Sequence, residues 1–133
     1  MTLEEFLSMD EEEEYEDVEI PRVHLTFRLR PLSAKDSNEI AMETYQEMKK
    51  KYRNISTSDP RVMTLVMKRL LLASIVEPDL LDPRLLTKAK VQTPEEILEA
   101  ILRPGEYDLI TKAQQRLNRE AQLSEDLVEQ AKN

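Results

Sequence analysis

Alternating hydrophobic and polar positions near the start of the chain predict a β-strand. Residues 22–30 place apolar side chains on one side and polar or basic side chains on the other. The apolar positions are Val23, Leu25, Phe27 and Leu29. Pro21 and Pro31 flank the run, as is typical of a strand with abrupt ends. Because a lone strand leaves backbone groups unpaired, we expect it to pair either with residues 16–20 or with another chain.

Beyond this strand the apolar spacing becomes helical, and capping residues mark the start of each helix. The predicted starts are Ser33, Asp59-Pro60, Asp82-Pro83 and Thr93-Pro94-Glu95-Glu96. The last of these has the pattern of a capping box, with Thr93 and Glu96 as its two members. Residues 103–106 break the chain, and a further long helix is predicted to end at about Glu120. Ser124 is expected to cap a last amphipathic piece.

The stretch from Val62 to Val76 is apolar on nearly every helical face. It is too short and carries too many charges to span a membrane. A helix that is apolar all round is normally buried, so we expect this one to be the central core helix, ended by Pro78.

These patterns predict a mainly α fold: a small helical domain of about four to six helices with an N-terminal β-strand or short β-hairpin. We expect residues 1–19 to form an acidic N-terminal arm and residues 20–133 to form the helical domain, with its leading strand at 22–30. The length of 133 residues is that of one compact domain.

The charge of the chain is concentrated at its N-terminus. The formal net charge is −8, but residues 1–21 carry ten acidic residues and no Lys or Arg, which leaves the remainder at about +2. Such a run is either a solvated tail or an arm that docks on a basic surface of its own body or of a partner. Leu3, Phe6 and Leu7 have helical spacing and form a small apolar patch at the tip of the arm.

The residue inventory argues against an enzyme and against a metal or cofactor site. The chain has no Cys, a single His at position 24 and a single Gly at position 105. It therefore offers no thiolate ligands and no Gly-rich phosphate loop. We interpret the basic run at residues 49–53 as a complement to a helix C-terminus and expect no nucleic-acid binding, given a pI near 4.8. No apolar run reaches the ~18 residues of a membrane span.

Several segments, taken together, resemble a known family. They are residues 27–35, Ser74-Ile75-Val76-Glu77-Pro78-Asp79-Leu80, Leu86, Pro94-Glu95-Glu96-Ile97-Leu98 and Ile101-Leu102-Arg103-Pro104-Gly105-Glu106-Tyr107. The start of the chain, from Leu3 to Leu7 and the acidic residues that follow, is similar as well. The order of these segments is similar to that in the tail assembly chaperones of long-tailed phages and prophages of Gram-positive bacteria. The similarity extends to about Leu117; the family often has a glycine after its last helix, where this chain has Asn118-Arg119.

The resemblance implies a non-enzymatic protein that binds the tape measure protein, keeps it soluble and helps tail tube subunits polymerise around it. It also implies a location in the host bacterial cytoplasm and absence from the mature virion. We expect a homo-oligomer that acts through exposed apolar surfaces, with the tail tube protein as a further partner. The candidate partner-binding residues are Leu3, Phe6 and Leu7 in the arm, and Val23, Leu25, Phe27 and Leu29 on the strand.

A second hypothesis is an acidic regulatory or decoy protein that binds basic host proteins. Binding through exposed charges would be screened by salt, whereas a grip on an apolar client would survive it. Salt dependence therefore separates the two hypotheses.

Overall fold

A three-stranded antiparallel sheet forms the N-terminal part of the fold in the computed structural model. The structure describes residues 2–9 and 14–132, with side chains through residue 118. The strands are β1 (Glu16–Ile20), β2 (Leu25–Leu29) and β3 (Ile75–Glu77), with β2 in the middle. Val18 lies opposite Phe27, and Ile20 lies opposite Leu25. Of the two pairings expected for the leading strand, the structure shows the one with residues 16–20, and β3 occupies the other edge of β2.

The leading strand is shorter than residues 22–30. Pro21–Val23 form a 3₁₀ turn, and His24 adopts a left-handed conformation with φ of 55°. Because Ile20 pairs with Leu25, the four residues between them must reverse the chain, and histidine tolerates this region better than β-branched residues do. Val23 therefore lies in the turn and not in the strand.

Six helices account for most of the described residues, as the mainly α prediction required. They are α1 (Leu3–Ser8), α2 (Ala34–Lys51), α3 (Pro60–Ser74), α4 (Pro83–Ala89), α5 (Ile97–Ile101) and α6 (Pro104–Lys132). The predicted caps form at Ser33, Asp59 and Asp82, whose side chains accept from backbone amides at 2.9–3.0 Å. The capping box predicted at Thr93 is absent, because Pro94–Glu96 form a 3₁₀ turn and Glu96 instead accepts from the Gln92 amide at 3.4 Å.

The C-terminal helix is one continuous element. The predicted end near Glu120 and restart at Ser124 are wrong, because α6 continues to Lys132. The sequence from residue 106 to residue 132 contains neither Gly nor Pro and is rich in Ala, Leu, Gln, Glu and Lys, which favour helix.

The main hydrophobic core lies between the sheet, α5 and α6. Its most buried members are Ile20, Phe27, Leu29, Ile97, Ile110 and Ala113, each at most 1% exposed. Arg116 of α6 also pairs with Glu16 of β1. The central helix is therefore α6.

The expectation that the helix within 62–76 is central to the core is wrong. Helix α3 ends at Ser74, and Ile75–Glu77 become β3, since β-branched residues and the restriction before Pro78 favour extended backbone. Only the C-terminal end of α3 reaches the main core, through the buried Leu71 and the partly buried Leu72. Its N-terminal half packs on α2 in a second cluster built on Met48, Ile55 and Val62.

An ion pair joins the hairpin turn to the start of α6. Arg22 donates from Nε and Nη2 to the Glu106 carboxylate at 2.7–3.1 Å, and from Nη2 to the Ile101 carbonyl at 2.8 Å. The hydrogen bonds from Arg22, followed by one from the Arg103 amide, lower the pKa of Glu106 to about 2.

Candidate partner-binding surfaces

The tip of the N-terminal arm forms helix α1, which exposes the N-terminal patch of Leu3, Phe6 and Leu7. A capping box between Thr2 and Glu5 starts the helix: each side chain accepts from the backbone amide of the other, at 3.2 and 3.3 Å. The three patch side chains are 63–71% exposed, and no residue of α1 is buried. The structure thus leaves this predicted site accessible to a partner.

The strand residues predicted to contact a partner face the core of their own chain. Phe27 and Leu29 are fully buried, and Val23 and Leu25 are partly buried against the same cluster. In this conformation a partner cannot reach Phe27 or Leu29, because the apolar face of β2 is covered by the protein's own helices. The last four residues of the expected arm, 16–19, also belong to the body, as part of β1.

An apolar groove that the sequence analysis did not identify runs between α2 and α3. It encloses about 250 Å³ and is lined by Ala41, Met42, Tyr45, Thr57, Val62, Met63, Val66 and Met67. We call it the methionine groove, because Met42, Met63 and Met67 stand at its surface and are 51–64% exposed. Flexible thioether side chains adapt to varied apolar partners, which is why methionine is common at binding surfaces.

The second hydrophobic cluster supports the methionine groove from below. Val62 is buried beside Met48 and Ile55, and Tyr45 and Val66 pack on the same cluster. The Tyr45 hydroxyl donates to the Ile55 carbonyl at 3.3 Å, which ties the inter-helix loop to α2. The walls of the groove are therefore held by packing, while its methionine rim faces solvent.

Arg69 connects the two helices of the groove to the rest of the domain. Its guanidinium donates to Glu47 of α2 at 2.8 and 3.1 Å, to the buried Thr44 hydroxyl at 3.1 Å, and to Glu95 at 3.1 Å. The hydrogen bonds that Arg69 donates to Glu47 lower the pKa of this carboxyl group below its ordinary value. Since Glu95 lies in the turn before α5, one side chain fixes the α2–α3 pair against the body.

Basic side chains flank the methionine groove along α2. Lys35 and Lys49 lie seven residues before and after Met42, which places all three on one stripe of the helix. Lys49, Lys50 and Lys51 form an exposed basic end in the last turn of α2. This end is the complement to the helix dipole that the sequence predicted, and it also gives this side of the groove a local positive charge.

Comparison with protein families identifies the chain. A model of the phage XkdN-like tail assembly chaperone proteins matches residues 3–132. The chain belongs to this family. The resemblance described from the sequence segments is therefore confirmed. No curated protein and no solved structure matched the chain.

Two of the segments that carry the family resemblance meet in this tail assembly chaperone. Side chains from two of these segments, residues 75–76 and 78–80 and residues 94–95, line a cleft of about 370 Å³ beside β3, together with Arg69. Leu80, Ile97 and Leu98 are buried in the main core, so these segments serve first to pack the domain. The exposed apolar side chains at this cleft are Val76 and Leu81.

Across residues 2–9 and 14–118, no three acidic or histidine side chains are grouped as metal ligands would be. No helix in the described part of this chaperone has the length and hydropathy that crossing a membrane requires.

Proposed function

We propose that this tail assembly chaperone binds the tape measure protein through the methionine groove, keeps it in solution, and so assists polymerisation of the tail tube around it. The observation that carries the proposal is the groove itself. An apolar channel between two helices is the usual receptor for an amphipathic client helix, which inserts side chains spaced at i, i+3 or i+4, and i+7.

The exposure of the methionines supports this role. Met42, Met63 and Met67 leave apolar surface in water around one groove, and contiguous exposed apolar surface often marks a site of interaction. Their conformational freedom suits a client whose apolar face varies along its length.

The N-terminal arm supplies the second part of the proposed mechanism. Its acidic residues keep a complex with an apolar client soluble by charge repulsion between complexes. The N-terminal patch of Leu3, Phe6 and Leu7 provides a further contact for a partner, among which we include the tail tube protein. The chaperone would act in the host bacterial cytoplasm and leave before the virion is complete.

The test is co-expression of a tape measure fragment with two matched variants. Met63 on the groove and Leu109 on α6 are both 51% exposed, so Met63→Glu and Leu109→Glu add the same charge to equally accessible helical positions. We expect Met63→Glu to lower the soluble yield of the fragment severalfold, because a glutamate loses its hydration when the groove is occupied. Leu109→Glu should leave the yield unchanged. Equal yields with both variants would refute the groove as the client site.

A salt series separates this mechanism from an acidic decoy that binds basic host proteins. In about 1 M salt the screening length falls to about 3 Å, so contacts between exposed charges are lost while apolar contacts persist. We expect the complex with the tape measure fragment to survive. Dissociation would favour the decoy.

Deletion of residues 1–13 tests the role of the arm, because it removes α1 and leaves β1 intact. We expect the soluble yield of the tape measure fragment to fall. An unchanged yield would refute the proposed role of the arm.

A further inference from the structure

We propose that, in the absence of a client, the methionine groove of one copy binds helix α1 of a second copy. The proposal concerns the chain alone and does not depend on the identity of the client.

Helix α1 is a formed but unpartnered apolar element. Its capping box fixes the first turn, yet all three patch side chains remain largely in water. A helix of six residues is only marginally stable by itself, so a surface that covers its apolar side would stabilise it.

The spacing of the N-terminal patch suits a groove between two helices. Leu3, Phe6 and Leu7 have the i, i+3, i+4 spacing of a single stripe, the pattern with which a helix enters a groove. Six helical residues extend over about 9 Å, or about 1.7 turns. Met63 and Met67 stand one turn apart on the facing wall, and their flexible side chains can close around Phe6.

The charges of the two surfaces are complementary as well. Glu4 and Glu5 flank the patch on α1, and further acids follow along the arm. Lys35 and Lys49 flank Met42 on the groove side of α2. Lys49 makes no ion pair with the described residues, and Lys35 reaches Glu39 only at 4.0 Å, with both side chains well exposed. Both lysines can therefore pair with an incoming acidic helix.

The arrangement favours a second copy over the same chain as the source of α1. The arm joins the body at β1, which packs mainly on β2 and α6. The groove lies on α2 and α3, which pack mainly on each other. Exchange of arms between two copies would cover both grooves and both patches at once, which doubles the buried area without a new type of contact.

Cysteine cross-linking tests the proposal directly, because the chain contains no cysteine. Chains carrying Phe6→Cys are mixed with differently tagged chains carrying Met67→Cys and then oxidised. A disulfide requires Cα atoms within about 7 Å, so we expect the mixed dimer in several times the yield obtained with Leu81→Cys, a similarly exposed control. Mixed dimer at or below the control level would overturn the proposal. Cross-linking confined to single chains of the double variant Phe6→Cys/Met67→Cys would also overturn it.

Sedimentation equilibrium of the cysteine-free chain provides a second readout. We expect Phe6→Ala to weaken self-association by about tenfold or more, as loss of an aromatic anchor does, and Leu109→Ala to leave it unchanged. Both side chains are exposed in the free chain, so neither variant should impair folding. A parent chain that remains monomeric at high concentration would contradict the proposal. Since no client is present, these results do not depend on whether the tape measure protein binds.

Discussion

Replacing Arg69 tests how the groove-bearing helices are held on the domain. Arg69→Met keeps most of the aliphatic stem but removes the hydrogen bonds to Glu47, Thr44 and Glu95. The buried Thr44 hydroxyl keeps its bond to the Ile40 carbonyl at 2.7 Å, so the variant does not leave it unsatisfied. The expected loss therefore comes from the two carboxylate contacts.

The exposure of each carboxylate sets the size of its contribution. Glu47 makes the shorter and more numerous bonds, and they are the first cause of the raised pKa of Arg69. Its side chain is nevertheless 63% exposed, so water competes and the pair should contribute about 0.2–1 kcal/mol. The side chains of Glu95 and Arg69 are only 24% and 23% exposed, so their charged hydrogen bond should contribute about 1–2 kcal/mol to the free energy of unfolding. Arg69→Met should thus reduce the free energy of unfolding by about 1–3 kcal/mol.

Urea unfolding with double-mutant cycles measures these terms separately. We expect a lower midpoint at unchanged m-value for Arg69→Met. The coupling of Arg69 with Glu95, measured with Glu95→Gln, should exceed its coupling with Glu47, measured with Glu47→Gln. A total loss below about 0.5 kcal/mol, or a larger coupling with Glu47, would show that burial does not rank these contacts as we infer.

Three further variants test the packing and the electrostatics of the domain. Phe27→Ala should lower the free energy of unfolding by about 3–5 kcal/mol in a urea titration, whereas the exposed Phe6→Ala should change it by less than about 0.5 kcal/mol. Gly105→Ala should stabilise the chain by about 0.4–1 kcal/mol in the same assay, since φ is not positive and an added Cβ meets no atom within 4 Å; destabilisation would contradict that geometry. Because the pKa of Glu106 is lowered from 4.5 to about 2, its pairing with Arg22 stabilises the fold fully above about pH 4.5 and progressively less as the pH falls toward 2. Glu106→Gln should therefore weaken the decline in thermal midpoint across that range, and an unchanged pH profile would refute the assignment.

Features encoded by neighbouring residues could be predicted from the sequence. The caps at Ser33, Asp59 and Asp82 depend on contacts two or three residues away. The hairpin between residues 16–20 and β2 follows from two short alternating runs on either side of Pro21. The family resemblance followed from the order of local segments and was equally accessible.

Features that depend on the arrangement of distant elements could not be predicted in this way. The composition of α3 indicated burial, but composition does not distinguish a helix enclosed by its own chain from one that exposes apolar side chains to a partner. Met63 and Met67 are exposed because α2 covers only one side of α3 and α6 takes the central position. Similarly, the apolar face of β2 was predicted to contact a partner, but the alternation does not show whether a partner or the chain's own α5 and α6 cover that face.

The distribution of the resemblance over the fold separates its structural role from its binding role. The C-terminal segments that resemble the family contribute buried residues such as Leu80, Ile97 and Leu102, together with Glu106 in its ion pair. The exposed methionines of the groove lie outside all of these segments. A family that keeps its packing residues while its clients differ would vary most at such a rim, where a side chain can change without a cost in core packing. If the methionine groove binds the client as we propose, client preference should be determined on α2 and α3, although the segments that carry the family resemblance lie almost entirely elsewhere.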